Sequence, residues 1–130
     1  MNNIYYFIRH AHSSYTPDEI NRPLSDKGQA SLAQLEFLTD KSIAAIYSSP
    51  YRRAIQTVEP LAQSLKLAIQ TDKRLIERKL SSQAIADQDF EQCLMQLWSQ
   101  PAFSLVDGES NQQAQQRALA LLHELESKHQ

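Results

Sequence analysis

Arg9 and His10 close one apolar run, Ile4-Tyr5-Tyr6-Phe7-Ile8, and Ser48, Ser49, Arg52 and Arg53 follow a second, Ile43-Ala44-Ala45-Ile46-Tyr47. Guanidinium groups bind phosphate oxygens bidentately, and an imidazole beside a bound phosphoryl group can attack phosphorus, splitting one hard displacement into two easier ones. Burying a cation or an imidazole without a partner is costly, so residues of this type directly after strand-like runs point to a site. The chemistry that suits them together is phosphoryl transfer, with the arginines stabilising charge on the transferring group. His10 and His12 also stand two apart, on one face of an extended chain, as a metal pair would. No cysteines or paired carboxylates complete that ligand set and Arg9 repels a cation, so no metal is expected.

Strand ends must position these groups. Residues 4–8 read as a strand covered on both faces, 43–47 as a second strand stopped by Ser48-Ser49-Pro50, and 67–69 as a weak third. Ser25 before Asp26-Lys27 is an N-cap with an acidic first turn, and Ala30, Ala33, Leu35, Phe37 and Leu38 follow as an amphipathic helix. Ala54, Val58, Leu61, Ala62 and Leu65 mark a second helix, which Pro60 should kink or deprive of one hydrogen bond. Phe90, Cys93, Leu94, Leu97 and Trp98 mark a third helix, with Trp98, Cys93 and the nearby leucines as core. Ala114, Ala118, Leu121, Leu122 and Leu125 mark a fourth, opened by Gly108-Glu109-Ser110 with Ser110 as N-cap. The order β-α-β-α-β-α-α predicts a three-layer α/β/α fold on a mainly parallel sheet, with its site beyond the carboxyl ends of the strands. Arg53 then lies at a helix start, where free N–H groups and the dipole favour an anion. Only Gly28 and Gly108 are glycine, so a glycine-rich phosphate cradle is excluded.

A chain of 130 residues, 42% hydrophobic and 22% charged, predicts one globular domain over 1–130. Its formal charge of -2 gives no basic field for nucleic acid or anionic lipid. No apolar run approaches a membrane span, and the lone Cys93 fits a reducing compartment, so cytoplasm is expected.

Arg9-His10-Ala11 after an apolar strand, Arg22-Pro23-Leu24-Ser25 with Gly28, and Ser48-Ser49-Pro50-Tyr51-Arg52-Arg53-Ala54-Ile55-Gln56-Thr57 together resemble the histidine phosphatase superfamily, the phosphoglycerate mutase-like proteins. Leu75-Ile76-Glu77-Arg78 and Gly108-Glu109-Ser110 extend the likeness along the chain. The resemblance implies that His10 becomes phosphorylated, that Arg9 and Arg53 hold the phosphoryl oxygens, and that Glu77 protonates the leaving oxygen. It places Ser13 and Thr16 in the loop that touches the phosphoryl group, and implies no metal or organic cofactor. The residues themselves leave a plainer reading of Glu77, a surface ion pair with Arg74 or Arg78.

The chain departs from the family pattern at Ala11, where many members have Gly, at His12, where Glu or Gln is frequent, and at Thr16, where Asn is frequent. A larger departure is the second catalytic histidine, which members carry on a late strand. Neither His123 nor His129 fits it, so a C-terminally incomplete chain is expected. In members that strand neighbours the His10 strand, and without it an exposed sheet edge offers a homodimer surface. The expected activity is hydrolysis of a small phosphorylated metabolite through phosphohistidine. The alternative is an impaired relative that binds phosphate ligands or a partner without turnover, and a phosphoglycerate-type mutase ranks behind both.

Overall fold

Ile46–Ser48 (β1) runs through a tight Ser-Ser-Pro turn into the helix Arg52–Leu65 (α2), which returns the chain to Ile69–Thr71 (β2). β1 and β2 pair in parallel, Ile46 opposite Ile69 and Ser48 opposite Thr71, so this is the expected β-α-β crossover. The computed structural model describes residues 3–78, 87–102, 104 and 108–129, with backbone alone for 87–90. They form two units, one of residues 4–76 and one of Asn3 with the described residues from Glu77 onward.

In the first unit, Ser25 caps a short helix, Asp26–Ser31 (α1), its hydroxyl accepting the Gly28 amide. The expected single amphipathic helix then tightens into a 3-10 helix, Leu32–Asp40. Nine residues is long for that geometry, but Leu32, Leu35 and Leu38 recur every third position, the repeat that three residues per turn stacks on one side. Leu32 and Leu38 are buried, whereas Ala30, Ala33 and Phe37 are exposed, which corrects the face expected from a 3.6-residue period. Leu38, Ile46, Val58, Leu61 and Ala62 form the core, with Ile8, Leu35, Ile43, Leu65, Leu67 and Ile69 packed around it. Burying Leu38 to 2% exposure contributes about 1.5–3 kcal/mol.

Pro60 sits on the exposed side of α2 and withholds the amide that would bond the Gln56 carbonyl. The helix closes at Lys66, whose φ of 57° is left-handed, and Leu67 N–H donates to the Ala62 carbonyl at 3.0 Å.

Residues 4–8 are not a strand. A strand exists only through a hydrogen-bonded neighbour, and among the described residues β1 and β2 form the only sheet. Tyr5 and Phe7 still share one side, ring centroids 6.5 Å apart, as alternate residues of an extended chain do. Ile8 reaches the core, while Ile4 and Phe7 are each 77% exposed.

In the second unit, Asp87–Ser99 (α3) and Asn111–Lys128 (α4) bury Leu97, Leu121 and Leu125. Trp98 is 69% exposed rather than core, because Leu97 takes the inward position and the next residue is turned 100° away. Cys93 is half-buried with a free thiol, and the side chain of Phe90 lies outside the described residues. Ser110 caps α4 in a reciprocal capping box with Gln113. Among the described residues no helix is long and apolar enough to cross a membrane.

Candidate active site

The imidazole of His10 is oriented by its own chain. Nδ1 lies 2.7 Å from the Ala11 carbonyl, which can only accept, so Nδ1 carries the proton and the neutral ring's lone pair is on Nε2. The next amide, Ala11 N–H, donates to the Thr57 hydroxyl at 3.0 Å. Thr57, buried one turn into α2, donates that hydroxyl to the Arg53 carbonyl at 2.7 Å. Such a bond to the preceding turn fixes the hydroxyl and leaves its oxygen to accept from Ala11. His10 and Arg53 are therefore joined through one side chain.

Arg53 stands in the first turn of α2 with only 2% of its surface exposed. Its Nη1 donates to the Glu19 carbonyl at 2.6 Å and its Nη2 to Glu19 Oε2 at 3.3 Å. The guanidinium carbon lies 5.0 Å from the centroid of the Tyr51 ring, within cation–π range. The Glu19 loop is fastened by Arg52 N–H to the Ile20 carbonyl at 2.9 Å. Asn21 donates from its side chain (3.0 Å) and backbone (3.1 Å) to Asp18, and these bonds hold the Asp18 carboxyl below its ordinary range.

Ser13 bridges Leu24 in antiparallel fashion, and on either side Ser14 N–H meets the Pro23 carbonyl and Ser25 N–H the His12 carbonyl, both at 2.9 Å. His12 Nδ1 lies 2.6 Å from the Ser25 hydroxyl. Gly28 is required here: a Cβ at that position would stand 2.0 Å from the His12 carbonyl oxygen. Leu24 N–H donates to Gln56 Oε1 at 2.8 Å, so α2 holds this segment too. The Thr16 hydroxyl donates to the Asp18 carbonyl at 3.3 Å.

Of the residues expected at a site, His10, Ser13, Thr16 and Arg53 all lie in the first unit. Arg9 is there too, exposed and with no side-chain hydrogen bond or ion pair among the described residues. Glu77 belongs to the second unit and is exposed. Of the arginines flanking it, Arg74 pairs with Asp72 and Arg78 donates to the Glu109 carbonyl. Sequence reasoning placed Thr57 in a motif but gave it no role, and did not reach Glu19. A threonine four residues after Arg53 on the inward face of α2, and an acid three before Arg22, were the available signals. Among the described residues no three His, Cys, Asp or Glu gather as a metal site.

Residues 5–130 match the model of the Histidine phosphatase superfamily (branch 1). Among solved structures, a mycobacterial glucosyl-3-phosphoglycerate phosphatase superposes with a TM-score of 0.79 at 23% identity, over 92% of this chain and 62% of that one. Mycobacterial hydrolase 1 gives 0.77 at 24%, over 92% and 63%. YhfR of Bacillus stearothermophilus gives 0.76 at 25%, over 94% and 66%. The chain thus spans less than two thirds of the length of each. No curated protein matches it.

Proposed function

The chain belongs to the histidine phosphatase superfamily, and from that premise we propose that it is a phosphomonoester hydrolase acting through a phosphohistidine at His10. Nε2 of His10 attacks phosphorus as the P–O bond to the leaving group breaks, and Glu77 gives that oxygen its proton. Water then attacks the phosphohistidine, Glu77 takes a proton back, the N–P bond breaks and inorganic phosphate leaves. Arg9 and Arg53 hold the phosphoryl oxygens, with Ser13 and Thr16 lining the loop beside them. No metal or cofactor takes part. The observation that carries this reading is the Ala11–Thr57–Arg53 linkage, which ties the His10 imidazole, its Nδ1 held on the Ala11 carbonyl, to the turn bearing a buried arginine.

The substrate in this reading is a small phosphorylated metabolite, and likeness to a glucosyl-3-phosphoglycerate phosphatase supports a phosphorylated sugar acid or similar polar ester. The lone cysteine supports a cytoplasmic setting. The exposed Ile4 and Phe7 support a homodimer through the apolar 4–8 segment, which sedimentation over a concentration series tests.

The deciding experiment is release of inorganic phosphate from an aryl phosphate with EDTA present, beside His10→Ala, with intact mass read after rapid acid-free quenching. Turnover and a phosphoenzyme in the parent, and neither in the variant, are expected. Turnover that survives His10→Ala overturns the reading. A silent but phosphate-binding parent would instead establish phosphate binding without turnover.

A further inference from the structure

Glu19 contacts two arginines at once. Oε2 lies 3.3 Å from Arg53 Nη2 and Oε1 lies 3.5 Å from Arg22 Nη1. Arg22 is largely withdrawn from solvent, its side chain 16% exposed, and among the described residues its Nε is buried with no hydrogen-bond partner. A buried donor left unmade is costly and calls for an acceptor. The Glu19 side chain is 58% exposed. Both of its ion-pair distances exceed the 2.7–2.9 Å typical of charge-assisted bonds, and an exposed, long pair holds weakly in water.

The two ends of Glu19 therefore differ. Its carbonyl binds Arg53 Nη1 at 2.6 Å and keeps the guanidinium oriented, while its carboxylate sits loosely between two cations. From this we propose that Arg22 and Arg53 form a two-guanidinium anion seat that the Glu19 carboxylate fills in the resting protein, and that the substrate's phosphoryl group displaces it. A phosphoryl group brings more acceptor oxygens and about twice the charge of a carboxylate, so it can supply the acceptor that Arg22 Nε lacks while staying on Arg53, where the carboxylate reaches Arg22 only at 3.5 Å. Arg22 is then a further phosphate-contacting residue and Glu19 an internal competitor. The inference rests on the reading of Arg53 as a phosphate clamp.

Calorimetric titration of the intact chain with inorganic phosphate tests it, using Glu19→Gln, Glu19→Gln with Arg22→Gln, and Arg53→Lys, each checked for folding by circular dichroism. Glu19→Gln, which keeps the carbonyl and removes the charge, should tighten phosphate about tenfold, and adding Arg22→Gln should cancel most of that gain. Unchanged affinity in Glu19→Gln makes Glu19 a structural pin and overturns the proposal, as does a gain that survives Arg22→Gln. Affinity that is indifferent to Arg53→Lys would instead remove the clamp reading itself, and the proposal with it. Should Arg53→Lys fail to fold, chemical-shift changes at the Arg22 and Arg53 side chains on phosphate addition to the parent decide the same point. Shifts at both support the seat, and shifts at neither overturn it.

Discussion

The Thr57 hydroxyl accepts from the Ala11 amide at 3.0 Å across 46 residues of chain and donates a hydrogen bond to the Arg53 carbonyl at 2.7 Å. Thr57→Val keeps the shape and leaves the Ala11 amide without that acceptor, at a cost of about 1–3 kcal/mol. Denaturant melts should show that loss. The kcat for an aryl phosphate should fall at least tenfold with KM little changed, because His10 is displaced while the anion seat stays, and Thr57→Ser should restore both.

Gly28→Ala is the harshest small change the first unit offers. The added methyl would stand 2.0 Å from a backbone oxygen, so α1 must move away from residues 12–14. Overpacking against main chain costs about 1–3 kcal/mol or more, which urea unfolding would register.

Lys66 pays a steric penalty at φ 57° that glycine does not. Lys66→Gly should therefore relieve about 1–2 kcal/mol of strain and lose about 0.4–1 kcal/mol to the greater freedom of the unfolded chain, a net gain of about 0.5–1 kcal/mol. A raised thermal midpoint is the expected readout, and a lowered one would mean that entropy dominates.

Asp72 gives a pH dependence of known sign. Its carboxylate receives the Arg74 side chain at 2.7 and 2.9 Å and the Arg74 amide at 2.8 Å, and these bonds hold its pKa below the ordinary 3.8. The stabilisation is complete above the unfolded value and disappears as pH falls through the lower folded value. The stability gap between the parent and Asp72→Asn should be full at pH values well above the ordinary 3.8 and should shrink as pH falls below it, as paired denaturation curves would show.

What sequence alone revealed was mostly what is local. Ser25 and Ser110 cap helices through partners three residues away, and Pro60 acts on its own turn, so all three could be read in place. Arg53 at a helix start followed from the strand-to-helix turn before it. The 4–8 run was misjudged because a strand is a relation to a neighbour and not a property of five residues. Leu32, Leu35 and Leu38 fit both a 3.6 and a 3.0 repeat, and only packing chooses. Glu19 and Thr57 escaped because the contacts that give them a place at the site span 34 and 46 positions, while their short spacing to Arg22 and Arg53 shows only that each shares a turn with an arginine.

α2 holds the residue 9–25 segment at several places within about one turn, through Arg52 and Arg53 to Ile20 and Glu19, Gln56 to Leu24, and Thr57 to Ala11. Each tie closes a loop of more than thirty residues, whereas the helix that supplies them forms from neighbours in microseconds or less. The expected order on refolding is that α2 forms before the pocket segment is gathered onto it. In hydrogen exchange, the Ala11 and Leu24 amides should accordingly be released together when the first two turns of α2 fray, long before the core around Leu61 opens.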